Sequence, residues 1–161
     1  MTAIDLGKTN ILVIGAGIMG IGIAQVAAQA GHRVKLFDTR HGAAQQAIAQ
    51  LGATFDGLVA KGKLVADAAD AALARIEPIT ALEEVGGIGL VIEAIVENID
   101  AKRALFAQLE SLVSASCVLA SNTSSISVTA ISSGLQHPGR LVGMHFFNPV
   151  PLMRLVEVVS G

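Results

Sequence analysis

No tyrosine and no tryptophan occur in this sequence, and cysteine occurs once. Without tyrosine, every dehydrogenase mechanism that relies on a tyrosine base is excluded, the short-chain dehydrogenases among them. The single cysteine, Cys117, allows no intramolecular disulfide and no Cys-based zinc site, and it argues against a zinc alcohol dehydrogenase. It suits a reducing, cytoplasmic setting. No metal site is expected. Charge is also scarce. Charged residues make up 15% of the chain, the net charge is −2 and the pI is about 6.0, so no basic field invites nucleic acid. No apolar run approaches the roughly eighteen uninterrupted residues of a membrane span, so no membrane partner is expected. The opening MTAIDLGKTN carries an early acid and no apolar core, and does not read as a signal peptide.

What is abundant is apolar surface. Of 161 residues 52% are hydrophobic, and the mean hydropathy is +0.63. That excludes disorder and suffices for one domain with a full core. It also demands either a sheet buried on both faces or a surface covered by something else.

The elements alternate. NILVIG (10–15), RVKLFD (33–38), LVIEA (90–94), CVLAS (117–121), LVGMHF (141–146) and RLVEVV (154–159) read as strands. Helices are expected over 18–30, stopped by Gly31, and over 100–113, with Leu105, Phe106, Leu109, Leu112 and Val113 on one face. A short helix is expected over 127–133. Residues 41–76 read as a helical hairpin, its first arm interrupted by Gly52 and Gly57 and its second capped at or near Asp67. A short strand over 76–80 carries Pro78, which places it at an edge or end. Strand–helix alternation of this kind gives an α/β, doubly wound, mostly parallel sheet of the Rossmann type. The helical hairpin is an excursion from it. Pro149 and Pro151 fix a turn that folds the last strand back antiparallel.

Gly15-Ala16-Gly17-Ile18-Met19-Gly20 matches G-x-G-x-x-G between a strand and a helix. Gly15 permits the tight turn, Gly17 the approach of a pyrophosphate, and Gly20 close helix–strand packing. The loop, with Ile18 and Met19 at the helix N-terminus, offers unpaired N–H groups to phosphate. Asp38 ends the second strand, 23 positions after Gly15. It can accept bonds from an adenosine ribose and repel a 2′-phosphate, or it can merely cap the helix beginning near Arg40. Strand, glycines, helix, strand and acid in this order point to NAD, with Arg40 leaving some tolerance of NADP.

A hydride acceptor needs a partner that handles a proton, and histidine is the usual one. His32, His41 and His137 fall in turns and loops. His145 ends a strand, where open α/β sheets bind ligands, and Glu157 follows inside an apolar strand. A carboxylate in such a strand needs a partner. If the Pro-bounded turn pairs the two strands, Glu157 reaches the imidazole and fixes its tautomer. The alternatives are a satisfied core histidine and a carboxylate on the solvent face of an edge strand. Ser121-Asn122-Thr123-Ser124-Ser125 is either a helix-capping turn or a row of pocket hydroxyls.

The glycine loop, Asp38, VIEAIVEN (91–98), SNTSS (121–125) and HFFNPVPLMRLVEVV (145–159), in this order, resemble the 3-hydroxyacyl-CoA dehydrogenase family over residues 10–160. The resemblance implies NAD-dependent oxidation of a 3-hydroxyacyl-CoA in fatty-acid or aromatic-acid catabolism. The 3-hydroxybutyryl- and 3-hydroxyadipyl-CoA forms are the nearest in pattern. It implies His145 as general base, Glu157 as its partner and Ser124 as the group that holds the substrate oxygen. Asn122 and Asn148 match residues lining the cofactor and active site, and Glu97 and Lys102 match residues near the nicotinamide ribose. Lys61 and Thr54 match contacts to CoA, although Lys61 and Lys63 can equally be a solvated loop pair. The family adds a helical domain that completes the cleft and a homodimer, and none of it is expected within these residues. The chain alone is therefore expected to bind NAD, to turn over poorly and to self-associate. Other readings are a dehydrogenase of a free 3-hydroxy acid and a non-catalytic dinucleotide-binding protein.

Overall fold

In a computed structural model the structure describes residues 9–161; the N-terminal residues read above for a signal peptide fall largely outside them. Seven strands form one sheet: β1 (Asn10–Ile14), β2 (Val34–Phe37), β3 (Ile76–Pro78), β4 (Ile88–Glu93), β5 (Val118–Ser121), β6 (Leu141–Phe146) and β7 (Val156–Ser160). Their order is β3-β2-β1-β4-β5-β6-β7, with every pair parallel except β6 and β7. The helices are α1 (Ile18–Gln29), α2 (Ala43–Ala60), α3 (Ala66–Leu73), α4 (Ile99–Leu112) and α5 (Val128–Ser132). No helix among the described residues is long and apolar enough to cross a membrane.

Apart from β7, the sheet is buried on both faces, which accounts for much of the hydropathy. Ile11 and Val13 of β1 pack into the layer of α1, α2 and α3, while Leu12 and Ile14 pack into that of α4 and α5. β5 divides in the same way, Ala120 to one side and Leu119 to the other. Alternation therefore gives a continuous apolar run rather than a polar/apolar one. Leu12, Val13 and Ile14 are each at most 1% exposed, and burying each contributes roughly 1.5–3 kcal/mol. Cys117 is buried beside them, and burial pushes its thiol up to about 11.

The excursion is the expected helical hairpin, with two local differences. Gly52 and Gly57 do not interrupt α2. At Gly52 a Cβ would lie 3.3 Å from Leu73 Cδ2, so the missing side chain lets α3 close on α2. Asp67 is not the cap of α3. The turn after α2 closes early, with the Lys63 N–H donating to the Leu58 carbonyl, and Val65 becomes the N-cap. Asp67 lies in the first turn, where its charge still favours the helix dipole. Pro78 ends the edge strand β3, as its missing N–H requires.

The glycine loop shows which glycines the fold itself needs. A Cβ on Gly20 would lie 1.7 Å from the Gly15 carbonyl oxygen, and one on Gly22 would lie 2.9 Å from Val150 Cβ. A Cβ on Gly17 would meet nothing within 4 Å. Gly20→Ala should therefore lower the unfolding free energy by the ~1–3 kcal/mol of overpacking or more. Gly17→Ala should leave it nearly unchanged. Urea denaturation of the two variants checks the contrast, and equal losses would contradict it.

Candidate active site

The parallel strands end on one rim. Ile14, Glu93, Ser121 and Gly143 are in register across β1, β4, β5 and β6, so the loops that follow them share that edge of the sheet. The strand order reverses between β1 and β4, which is where open sheets bind nucleotides.

A crevice of about 980 Å³ opens there, lined among others by Gly15, Gly17, Asp38, Arg40, Ile95 and Leu105. Gly15, at φ +102°, turns the chain away from β1, and a Cβ there would lie 2.4 Å from the Ala94 carbonyl oxygen. Gly17 caps α1 with no side-chain bond, facing open space. The first N–H groups of α1, at Ile18 and Met19, have no acceptor within the helix. Room for a ligand in front of unpaired donors at the positive end of a helix fits a pyrophosphate.

Asp38, just past β2, closes the crevice. Its Oδ2 accepts from the Ala16 N–H at 2.8 Å, and its Oδ1 from the Arg40 backbone N–H at 2.9 Å. The Arg40 side chain adds Nε to Oδ1 at 3.0 Å and Nη2 to Oδ2 at 2.9 Å. The guanidinium bonds, helped by the two N–H groups and opposed by partial burial, bring the carboxyl down to about 2. Asp38 thus holds the turn to Arg40 but caps no helix, since α2 begins at Ala43 with Gly42 as its N-cap, and it faces the crevice as well.

Next along the rim lies a charge cluster. The amphipathic face of α4 is Lys102, Phe106 and Leu109, with Leu105, Leu112 and Val113 only half-buried around it. Lys102 is 1% exposed, so its ammonium needs carboxylates. Glu93, fully buried at the end of β4, lies 2.7 Å away, and Glu97 lies 3.2 Å away. Glu93 also accepts from the Ile95 N–H at 2.7 Å and the Ser121 hydroxyl at 2.6 Å. Glu97 gathers the SNTSS loop. One of its oxygens accepts from the Thr123 and Ser125 hydroxyls and from the N–H groups of Ser124 and Ser125. Burial opposes its ionisation, but the Thr123 hydroxyl, the Ser125 N–H and the Lys102 ammonium prevail and bring it down to about 2. Glu97 and Lys102 are therefore brought together, with the ammonium turned inward. Glu93 and Gly22 escaped the sequence reading, though each left a signal. Glu93 is a carboxylate closing an apolar strand, the same pattern that flagged Glu157, and Gly22 extends the glycine loop by one alternate position.

The β6–β7 hairpin completes the rim. His145 pairs with Glu157 across it, with Nδ1 3.1 Å from Oε2. Burial is not what joins them. Glu157 is 55% exposed and all of β7 is exposed, Val156, Val158 and Val159 included. The antiparallel register alone sets them opposite each other. The Phe147 ring lies 4.5 Å from the imidazole, centroid to centroid. Asn122 ties the neighbouring loop to this hairpin, its Oδ1 accepting from the Phe146 N–H at 2.8 Å. Ser124 is exposed and its hydroxyl makes no bond among the described residues; Asn148 is exposed on the turn. Thr54 and Lys61 stand apart, exposed on α2 and at its C-cap, bonded to none of the other candidate residues. The Thr54 hydroxyl donates to the Gln50 carbonyl at 3.0 Å.

Residues 10–161 match the sequence model of the 3-hydroxyacyl-CoA dehydrogenase NAD-binding domain. The chain is 46% identical to a 3-hydroxyadipyl-CoA dehydrogenase of Escherichia coli K12, covering 94% of this chain and 32% of that one. It is 42% identical to a 3-hydroxybutyryl-CoA dehydrogenase of Clostridioides difficile, covering 94% and 54%. A crystal structure of 3-hydroxybutyryl-CoA dehydrogenase from Escherichia coli K12 superposes with a TM-score of 0.91 at 44% identity, over 94% of this chain and 32% of that one. The chain thus spans about a third to a half of the length of these relatives.

The charge cluster makes two predictions. Lys102→Met strands the buried Glu93 carboxylate and should cost roughly 3–5 kcal/mol of stability, much of it regained in Glu93→Gln/Lys102→Met. Urea denaturation of both variants checks this, and a near-neutral single variant would contradict it. The second concerns acid. Folding lowers Glu97 from 4.5 to about 2, so its contribution is complete above 4.5 and is lost as the pH falls towards 2. Glu97→Gln should be less stable than the unsubstituted chain at neutral pH, with the gap closing across that window.

Proposed function

The chain belongs to the 3-hydroxyacyl-CoA dehydrogenase family as an NAD-binding domain, and on that premise we propose that the protein oxidises a 3-hydroxyacyl-CoA to the 3-ketoacyl-CoA with His145 as general base. The observation that carries this is the 3.1 Å contact of His145 Nδ1 with Glu157 Oε2, on the rim where the dinucleotide crevice opens. With the Nδ1–H donating to the carboxylate, Nε2 holds the lone pair that takes the substrate hydroxyl proton. Glu157 then stabilises the imidazolium as its charge develops. Ser124 has a free hydroxyl to hold the substrate oxygen, and Glu97 fixes the backbone that carries it. Asp38 takes the adenosine ribose, and the N–H groups behind Gly17 take the pyrophosphate. Asn122 and Asn148 flank the nicotinamide end. NAD, when bound, supplies the hydride acceptor.

On the substrate side, Lys61 is an exposed cation for the phosphates of CoA, with Thr54 two turns back on the same side of α2. Thr54 acts as an acceptor in the rotamer seen, because its proton is given to Gln50. Covering residues 151–161 belongs to the same reading. Leu152, Leu155 and Val158 are 77%, 56% and 68% exposed, apolar surface that a further helical domain would bury. That domain would supply the second wall of the substrate cleft and the contacts of a homodimer. By excluding water from Glu157 it would also strengthen the pair, because the attraction grows as the local dielectric falls. A cytoplasmic location fits the buried, unpaired thiol.

Reduction of acetoacetyl-CoA by NADH tests the proposal in the protein that carries the covering domain. His145→Gln should lower turnover by ~10²–10⁴-fold, while NADH affinity stays within a factor of about two. Glu157→Gln should lower turnover by less. The described chain alone should bind NADH comparably and turn over far more slowly. Near-normal turnover in His145→Gln would place the base elsewhere.

A further inference from the structure

The cofactor crevice closes on a carboxylate whose hydrogen-bonding positions are full. An ionised carboxylate offers about four lone-pair positions. Those of Asp38 are all taken, by the N–H groups of Ala16 and Arg40 and by Nε and Nη2 of the Arg40 guanidinium. A ribose diol cannot add to this set and must displace something. The two backbone donors are fixed by the loop and the turn. The guanidinium can leave, since it lies on the solvent side of the pair, its side chain 70% exposed against 8% for Asp38.

The charge census of the crevice gives Arg40 a second role. Among its lining residues the charged ones are Asp38, Arg40 and Glu83, so Arg40 is the only cation. A phosphate on the ribose 2′-oxygen would meet two carboxylates and this one guanidinium. Nε and one Nη2 proton bind Asp38, and the remaining three N–H groups are free for phosphate oxygens. A bare ribose competes with Arg40 for Asp38, whereas a phosphorylated ribose can be bridged to Asp38 by it.

We propose that Arg40 is a specificity-determining residue of the cofactor site, a latch on Asp38 that yields to the ribose of NADH and stays in place as the receptor for the 2′-phosphate of NADPH. NADH remains the preferred ligand, because its hydroxyls bond Asp38 directly. The preference is smaller than Asp38 alone would impose, and Arg40 sets how much smaller. This inference rests on the reading of the crevice as the adenosine site.

The test is fluorescence titration of the described chain with NADH and NADPH. Variants are Arg40→Ala, Arg40→Gln and, as a control for the ribose contact, Asp38→Ala. In both Arg40 variants NADH should bind as well as before or up to a few-fold tighter. NADPH should weaken roughly ten- to a hundredfold, the worth of a lost charge-assisted bond. The salt dependence of NADPH binding should flatten with it. Asp38→Ala should weaken NADH and bring the two ligands together. Equal weakening of both dinucleotides in the Arg40 variants would make the guanidinium a general contact and overturn the proposal, as would no change in either. If the unsubstituted chain bound neither dinucleotide, the reading of the crevice would fall, and the proposal with it. If Asp38→Ala left NADH binding unchanged, the ribose would lie elsewhere, with the same consequence.

Discussion

The rim of this sheet depends on one buried ammonium. Lys102 sits in the apolar face of α4 with almost no access to water, and two carboxylates compensate it. Glu93 is itself buried at the end of β4 and also holds Ser121 at the end of β5. Glu97 holds the loop from Thr123 to Ser125. Asn122, between these anchors, bonds the backbone of Phe146 in β6. The loops after β4 and β5 and the end of β6 are thus linked through a few polar contacts. Such an arrangement is costly unless every member is satisfied, and here each one is.

Most of the architecture was legible because each strand is short, apolar and followed by a recognisable break. The antiparallel return of β7 was legible from Pro149 and Pro151. The sequence was less informative where side chains act across elements. It signalled an amphipathic α4 with Leu105, Phe106, Leu109, Leu112 and Val113 inward; Phe106 and Leu109 are core, the other three pack half-buried against it, and a lysine that no pattern marked takes a core position beside them. A charge inside a stripe can be placed only once its partner is known, and Glu93 lies on another element. Cap position was misread at Asp67 because a tight turn ended two residues sooner than composition implied.

The candidate site shows the same division. His145 and Glu157 were paired because a carboxylate in an apolar strand was expected to need a partner; β7 is apolar but lies exposed at the sheet edge, as the alternative of a solvent-facing carboxylate had it. The pairing arose from strand register, which the prolines set. Asp38 was read as either a ribose acceptor or a turn cap. Two backbone N–H groups hold it to the glycine loop and to its own turn, and the positions that face the crevice are filled by the Arg40 guanidinium, so a ribose can bond it only where that side chain gives way.

The contact of Gly22 with Val150 bears on how the domain can move. Position 22 has room for hydrogen only, so the turn after β6 is seated directly on the helix whose first turn faces the phosphate site. There is no slack between the two. The first turns of α1, which open on the crevice, and the turn that follows His145 are therefore held in direct contact. A part that pivoted over the crevice would meet this pair as a stationary jaw.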